Sequence, residues 1–220
     1  MSVCLDRTSR RIIGVLLEKE ATTPLGYPLS MNALLVGCCQ KSNRNPVMDL
    51  QEFELEGALR SLQVEGWVVN VREAGSRVEK WRHKAEEKLD CSPAEASILC
   101  ELMLRGPQQP GELRTRCKRL HGFADIASLM KSLDSLISSG LVVCIGKRPK
   151  ERTERYDHCL YPADESRETP AAQSPQAEAP TSAPVDTPSP MSLADEVVER
   201  LERLEEQLQR LEARLDEITG

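Results

Sequence analysis

Apolar positions along this chain recur at helical spacing, give way after a glycine to a short strand-like run, and then repeat the same succession. Ile12, Ile13, Leu16 and Leu17 follow the i, i+1, i+4, i+5 pattern of one buried helical face. Asp6 or Thr8 can cap that helix. It must stop before Pro24, because the residue preceding proline is pushed out of the α region. Ser30 caps a second helix through Ala33, Leu34, Leu35 and Cys38. Asp49 with Glu52 predicts a capping box for a third, with Phe53, Leu55, Ala58, Leu59 and Leu62 facing inward. Gly66 supplies the left-handed stop. Two strands, Trp67–Val71 and Val78–Trp81, should close around Ala74-Gly75-Ser76.

The second pass is plainer. Ser92-Pro93-Ala94-Glu95 combines a capping box with proline at the first helical position, ahead of Ile98, Leu99, Leu102 and Met103. A helix from Pro110 or Gly111 carries Leu113, Cys117 and Leu120. The next runs from Asp125 through Ile126, Leu129, Leu133, Leu136 and Ile137 to Gly140. The strands Leu141–Ile145 and Arg155–Leu160 flank the turn KRPKER. Leu59, Leu62, Gly66 and Val68 map onto Leu133, Leu136, Gly140 and Val142 at an offset of 74, and Trp81 and His83 onto Tyr156 and His158 at 75. Such self-similarity marks two copies of one unit.

Three helices followed by a hairpin is the winged-helix order, a relative of helix-turn-helix. The expected architecture is mainly α with small β-hairpins: winged-helix domains at 5–86 and 90–162, then a disordered linker at 163–191. Six of the fourteen prolines fall between Pro170 and Pro190, among Ala, Ser, Thr, Gln and Glu, a composition that cannot bury enough apolar surface to order itself. A coiled-coil helix is expected over 192–219. Ala194, Leu201, Leu208 and Leu215 recur every seven residues, as do Val197, Leu204, Leu211 and Ile218. Self-association through this seam is expected, the alternative being a helix folded back on the modules.

The segments LLEKEATTP from Leu16, YPLSMN from Tyr27, QKSNRNPVM from Gln40, GELR from Gly111 and RYDH from Arg155 resemble the YceH-like family of bacterial tandem winged-helix proteins. The resemblance covers roughly residues 10–160, and QKSNRNPVM is its most specific element. It implies the tandem fold. It implies no activity and carries over no catalytic residue, because the family is functionally uncharacterised.

Charge changes the picture once it is divided. The chain carries −6 overall. Residues 163–220 hold 14 acidic and 5 basic side chains, so residues 1–162 are net +3, and the excess lies in the second module. There Arg114, Arg116, Lys118 and Arg119 cluster on the second helix, Lys131 lies on the third, and Lys147, Arg148, Lys150, Arg152 and Arg155 crowd the wing. Duplex DNA is the candidate partner, held by phosphate neutralisation; a solvated basic turn is the competing reading. Base readout is not favoured. The third helix of the second module lacks Arg, Asn and Gln for bidentate pairing, and that of the first is acidic, with Glu52, Glu54, Glu56 and Glu65. A protein-interaction scaffold is therefore the rival function.

The polar loop containing Gln40, Lys41, Asn43, Arg44 and Asn45 could contact a nucleic-acid backbone or a partner chain, or could simply satisfy its own turn. The eight cysteines have no paired spacing, no signal peptide or apolar run of membrane-spanning length stands out, and a cytoplasmic protein with reduced thiols is expected. Cys117 and His121 sit four apart but are too few for a structural zinc site. His83 and His158 read as packing residues. No phosphate loop or nucleophile elbow is present, so the expectation is a non-enzymatic protein without cofactor or metal.

Overall fold

The computed structural model describes residues 3–72 and 78–165. The expected Ala74-Gly75-Ser76 turn, the linker from residue 166 onward and the heptad positions Val197–Ile218 lie outside the described residues.

Capping decides where most helices start. Helix α1 (Arg7–Thr22) begins where Asp6 accepts the Ser9 N–H at 2.8 Å. Ser30 accepts the Ala33 N–H at 3.3 Å and opens α2 (Met31–Cys38). Helix α3 (Glu52–Val64) starts two residues later than the Asp49/Glu52 reading required: Glu54, not Glu52, reaches back, accepting from Gln51 N at 2.8 Å. The cause lies upstream. Leu50 is buried and its N–H donates to Cys39 Sγ at 3.3 Å, so the chain is still pinned to the end of α2 at that point. The shift also corrects the apolar face. Leu55, Leu59 and Leu62 are buried, but Phe53, about 200° around the helix from Leu55, is 73% exposed.

Gly66, at φ 78°, ends this helix, and the Trp67 N–H closes on Leu62 O at 2.8 Å. Strands β2 (Val68–Arg72) and β3 (Glu79–His83) pair antiparallel, Val68 opposite His83. A short strand, β1 (Leu29–Ser30), adds to the far edge of β3 with Leu29 opposite Trp81, giving the order β1-β3-β2. The hydrophobic pattern did not announce this two-residue strand. A short helix, α4 (Ala85–Leu89), then leads to the second module.

The second module repeats the first down to single hydrogen bonds. Its helices are α5 (Pro93–Arg105), α6 (Pro110–Cys117) and α7 (Ile126–Ser138), with β4 (Val142–Gly146) and β5 (Arg155–His158) after them. Gly140, at φ 74°, matches Gly66, and the Leu141 N–H to Leu136 O bond at 2.9 Å matches the Trp67 closure. Where β1 meets Trp81, a lone bridge joins Gln108 to Tyr156. His83 Nδ1 accepts from Ala85 N and His158 Nδ1 from Leu160 N, both at 3.2 Å. These buried imidazoles therefore shape the exit of each hairpin, as their repetition suggested.

The modules share one hydrophobic core. Helix α1 lies against α5 so closely that a Cβ on Gly14 would stand 2.8 Å from Leu104 Cδ2, and Cys100 Sγ bonds Gly14 O at 3.3 Å. The Leu5 N–H donates to Leu160 O at 2.9 Å, tying the start of the first module to the end of the second. Arg10 stacks 4.4 Å from the Tyr161 ring centre and pairs with Glu165 at 2.5 Å. Attachment thus runs to Glu165, two residues past the expected linker start at 163. Among the described residues no helix is long and apolar enough to cross a membrane.

Candidate nucleic-acid interface

The β4–β5 hairpin carries its cations on a braced tip. A bulge at Gly146, φ 83°, bends the strand out of register. Beyond it Glu151 organises the turn. Its Oε2 accepts from Arg148 N at 3.1 Å, its own N–H donates to Arg148 O at 3.0 Å, and its Oε1 accepts from Arg155 Nη1 at 2.9 Å. Lys147, Lys150 and Arg152 remain exposed on this frame, with Lys150 in the left-handed region at φ 72°. Three positive charges on a fixed turn can meet successive phosphates with little ordering cost.

The helix-two cations expected as one cluster divide. Arg114 is exposed and steadies the α6–α7 connection by donating to Ala124 O at 2.8 Å. Lys118 is exposed where α6 ends, and Lys131 is exposed on α7. Arg116 instead donates to Gln108 Oε1 at 2.7 Å and pairs with Glu112 at 3.3 Å. Arg119 lies beyond α6 and reaches Glu18 at 2.6 Å and Glu101 at 2.7 Å. Arg155, half-buried on β5, donates to Pro107 O. Arg116, Arg155 and the still exposed Arg119 therefore knit the second module together and to the first. Arg114, Lys118, Lys131, Lys147, Lys150 and Arg152 are open to solvent and make no such link between elements among the described residues, apart from the Arg114 bond to Ala124 O.

The loop after α2 acts as a clasp. Arg44 is buried, and its guanidinium donates to both carboxylate oxygens of Glu18, at 3.2 and 2.5 Å, to Gly37 O and to Gln40 Oε1 at 3.1 Å. The Asn45 N–H donates to Leu104 O at 2.8 Å and its side-chain amide to Arg105 O at 3.3 Å. Asn43 Oδ1 accepts from Arg105 Nη2. The loop thus satisfies its own turn and joins the modules, with Lys41, Asn43 and Asn45 exposed.

Glu18 is the hub. Its side chain is 2% exposed. Burial alone would raise its carboxyl pKa, but hydrogen bonds and charge from Arg44 and Arg119 outweigh that and hold it below the ordinary value. Sequence reasoning passed over Glu18, Glu101, Arg105 and Gln108. The available signal was a carboxylate set inside an apolar helical face, as in Leu16-Leu17-Glu18 and Cys100-Glu101-Leu102.

No group of three or more His, Cys, Asp or Glu side chains with metal-ligating geometry occurs among the described residues. Cys117 and His121 do not share a helical face, since α6 ends at Cys117 and His121 stands edge-on to Phe123 at 5.0 Å. Burial pushes the Cys117 thiol up to about 12.

The family model described as protein of unknown function, DUF480, matches residues 5–152. A UPF0502 protein of Rhodopirellula baltica is 48% identical over 161 residues, covering 73% of this chain and 67% of its own. One from Pelobacter propionicus is 46% identical over 162 residues, covering 73% and 74%. A third, from Saccharophagus degradans, is 41% identical over 225 residues and spans 99% of this chain and 97% of its own.

Proposed function

The chain belongs to the DUF480 family, whose function is unknown, and we propose that it is a non-enzymatic, cytoplasmic DNA-associated regulator built on two winged helices. The second module grips duplex backbone through its hairpin tip, and residues 192–219 join copies through a coiled coil. The winged-helix reading is supported by the repeated order of three helices and a hairpin, each hairpin flanked by a third short strand or bridge. One observation carries the function: Lys147, Lys150 and Arg152 stand exposed, with only Glu154 as an exposed acid beside them, on a turn braced by Glu151 through Arg155 and the Arg148 backbone.

Binding of this kind is backbone-directed, because α7 offers the grooves serine and lysine and not the bidentate side chains that read bases. The full chain should bind random duplex at low ionic strength and release it steeply as salt rises. Deleting residues 163–220 removes a net −9 together with the coiled coil, so the truncated chain should still bind duplex through its hairpin tip, without the gain that pairing of copies brings. Absence of binding at low salt sinks the proposal.

A second reading has its own observation. Phe53, 73% exposed, projects among Glu52, Glu54 and Glu56 on α3. An exposed aromatic on an acidic helix suits a basic protein partner better than phosphate. That reading predicts a stoichiometric protein complex that survives nuclease treatment and is lost in Phe53→Ala.

A further inference from the structure

Arg11 carries a positive charge into the interior, and no carboxylate among the described residues pairs with it. It lies early in α1 and is 2% exposed. Its Nη1 and Nη2 donate to two neutral carbonyls, Cys38 O at 2.8 Å and Pro46 O at 2.5 Å. Its Nε is buried with no hydrogen-bond partner among the described residues. Glu18, further along the same helix, is already taken by Arg44 and Arg119. Cys38 brings no charge either, because burial pushes its thiol up to about 12. The cost shows in Arg11 itself: burial, and then the charge of Arg44, pull its pKa down to about 10.

Arg11 lines a cavity of about 230 Å³ between α1 and residues 45–48 on one side and the end of α5 on the other. Arg7, Arg10 and Glu165 also border it. Arg10 and Glu165 satisfy each other at 2.5 Å and add no net charge. Arg7 is exposed and has no ion pair among the described residues. Two guanidinium groups without a carboxylate of their own therefore border the cavity. Much of the remaining wall is apolar, from Met48, Leu102, Met103 and Pro107. A free guanidinium fork offers a carboxylate two parallel hydrogen bonds, and an apolar wall with a few convergent polar groups is the usual make-up of a small-molecule site.

We infer that this cavity binds a small organic carboxylate, its anionic end held by Arg7 and offsetting the buried charge of Arg11, its apolar body against Met48, Leu102 and Met103. The walls come from both modules, so a bound carboxylate stabilises their contact. None of the exposed cations of the hairpin tip borders the cavity, and the site does not depend on their binding DNA.

Calorimetric titration of the full chain with isovalerate, acetate, inorganic phosphate and the neutral isovaleramide, against sodium chloride at matched ionic strength, tests this. Isovalerate should bind saturably with a Kd of about 1 mM or lower and raise the melting temperature. Acetate lacks the branched body and should bind about tenfold more weakly or worse. Isovaleramide should give no more heat than chloride. Arg7→Gln, at an exposed position, should weaken isovalerate about tenfold or more through loss of a charge-assisted contact. Replacing Lys147, Lys150 and Arg152 by alanine should change nothing. Isovalerate heats no larger than those of chloride, isovaleramide binding as tightly as isovalerate, or affinity indifferent to Arg7→Gln would overturn the inference, as would binding lost with the tip cations. Phosphate binding more tightly than isovalerate would overturn the assignment to a carboxylate.

Discussion

The Glu18–Arg44 pair shows how much depends on a single buried contact. Both side chains are almost wholly withdrawn from water, 2% and 0% exposed, so neither partner can be rehydrated if the other is removed. Breaking such a pair costs ~3–5 kcal/mol, chiefly through the charge left behind. Arg119, 2.6 Å from Glu18, still pairs that carboxylate after Arg44 is removed, so Arg44→Ala should lower stability by the smaller end of that range in chemical denaturation. The pair also sets an acid limit. Because the folded Glu18 pKa is depressed, its stabilisation is complete above the unfolded glutamate value of about 4.3 and is lost as pH falls through the lower folded value. Glu18→Gln should flatten the stability profile over that acid range; a profile as steep as that of the parent would show that other carboxylates govern it.

At the scale of elements, the closest approach is that of α1 to α5. Replacing an interior helical glycine by alanine ordinarily gains about 1 kcal/mol in propensity. At Gly14 the new Cβ would sit 2.8 Å from Leu104 Cδ2 and 2.9 Å from Cγ, and overpacking of that kind costs about 1–3 kcal/mol. Sterics should win, so Gly14→Ala should lower the melting temperature, whereas Gly57→Ala, with open space around it, should not. What could be read from the sequence follows the same division between local and distant causes. Ser30, Ser92 and Asp125 announced their helices because a cap acts within three residues. Gly66 and Gly140 announced the helix stops for the same reason. The α3 start escaped because Cys39, eleven residues away, holds Leu50. Strand β1 escaped because two residues carry no period. The basic cluster was legible as composition, but its division into solvent-facing Lys147, Lys150 and Arg152 and seam-facing Arg116, Arg119 and Arg155 is set by Glu18, Glu101 and Pro107, which only the fold brings near.

For the whole molecule, the shared core makes the two sequence repeats one cooperative body. The buried α1–α5 contact, the Asn43–Arg105 clasp and the Leu5–Leu160 bond all cross between modules. Calorimetry of the full chain should show one unfolding transition for residues 5–162, with calorimetric and van't Hoff enthalpies agreeing; two separated transitions would mean that the modules fold independently. A rigid pairing of this kind would also fix the direction in which the second hairpin presents its cations.

The most direct test of backbone gripping by that hairpin is the slope of log affinity against log salt for random duplex, compared between the parent chain and the Lys147→Ala, Lys150→Ala, Arg152→Ala variant. Each phosphate contact contributes about 0.9 to the slope. The variant should therefore lose up to roughly 2.7 while keeping the melting temperature of the parent. An unchanged slope, or no measurable affinity in the parent at low salt, would contradict the account.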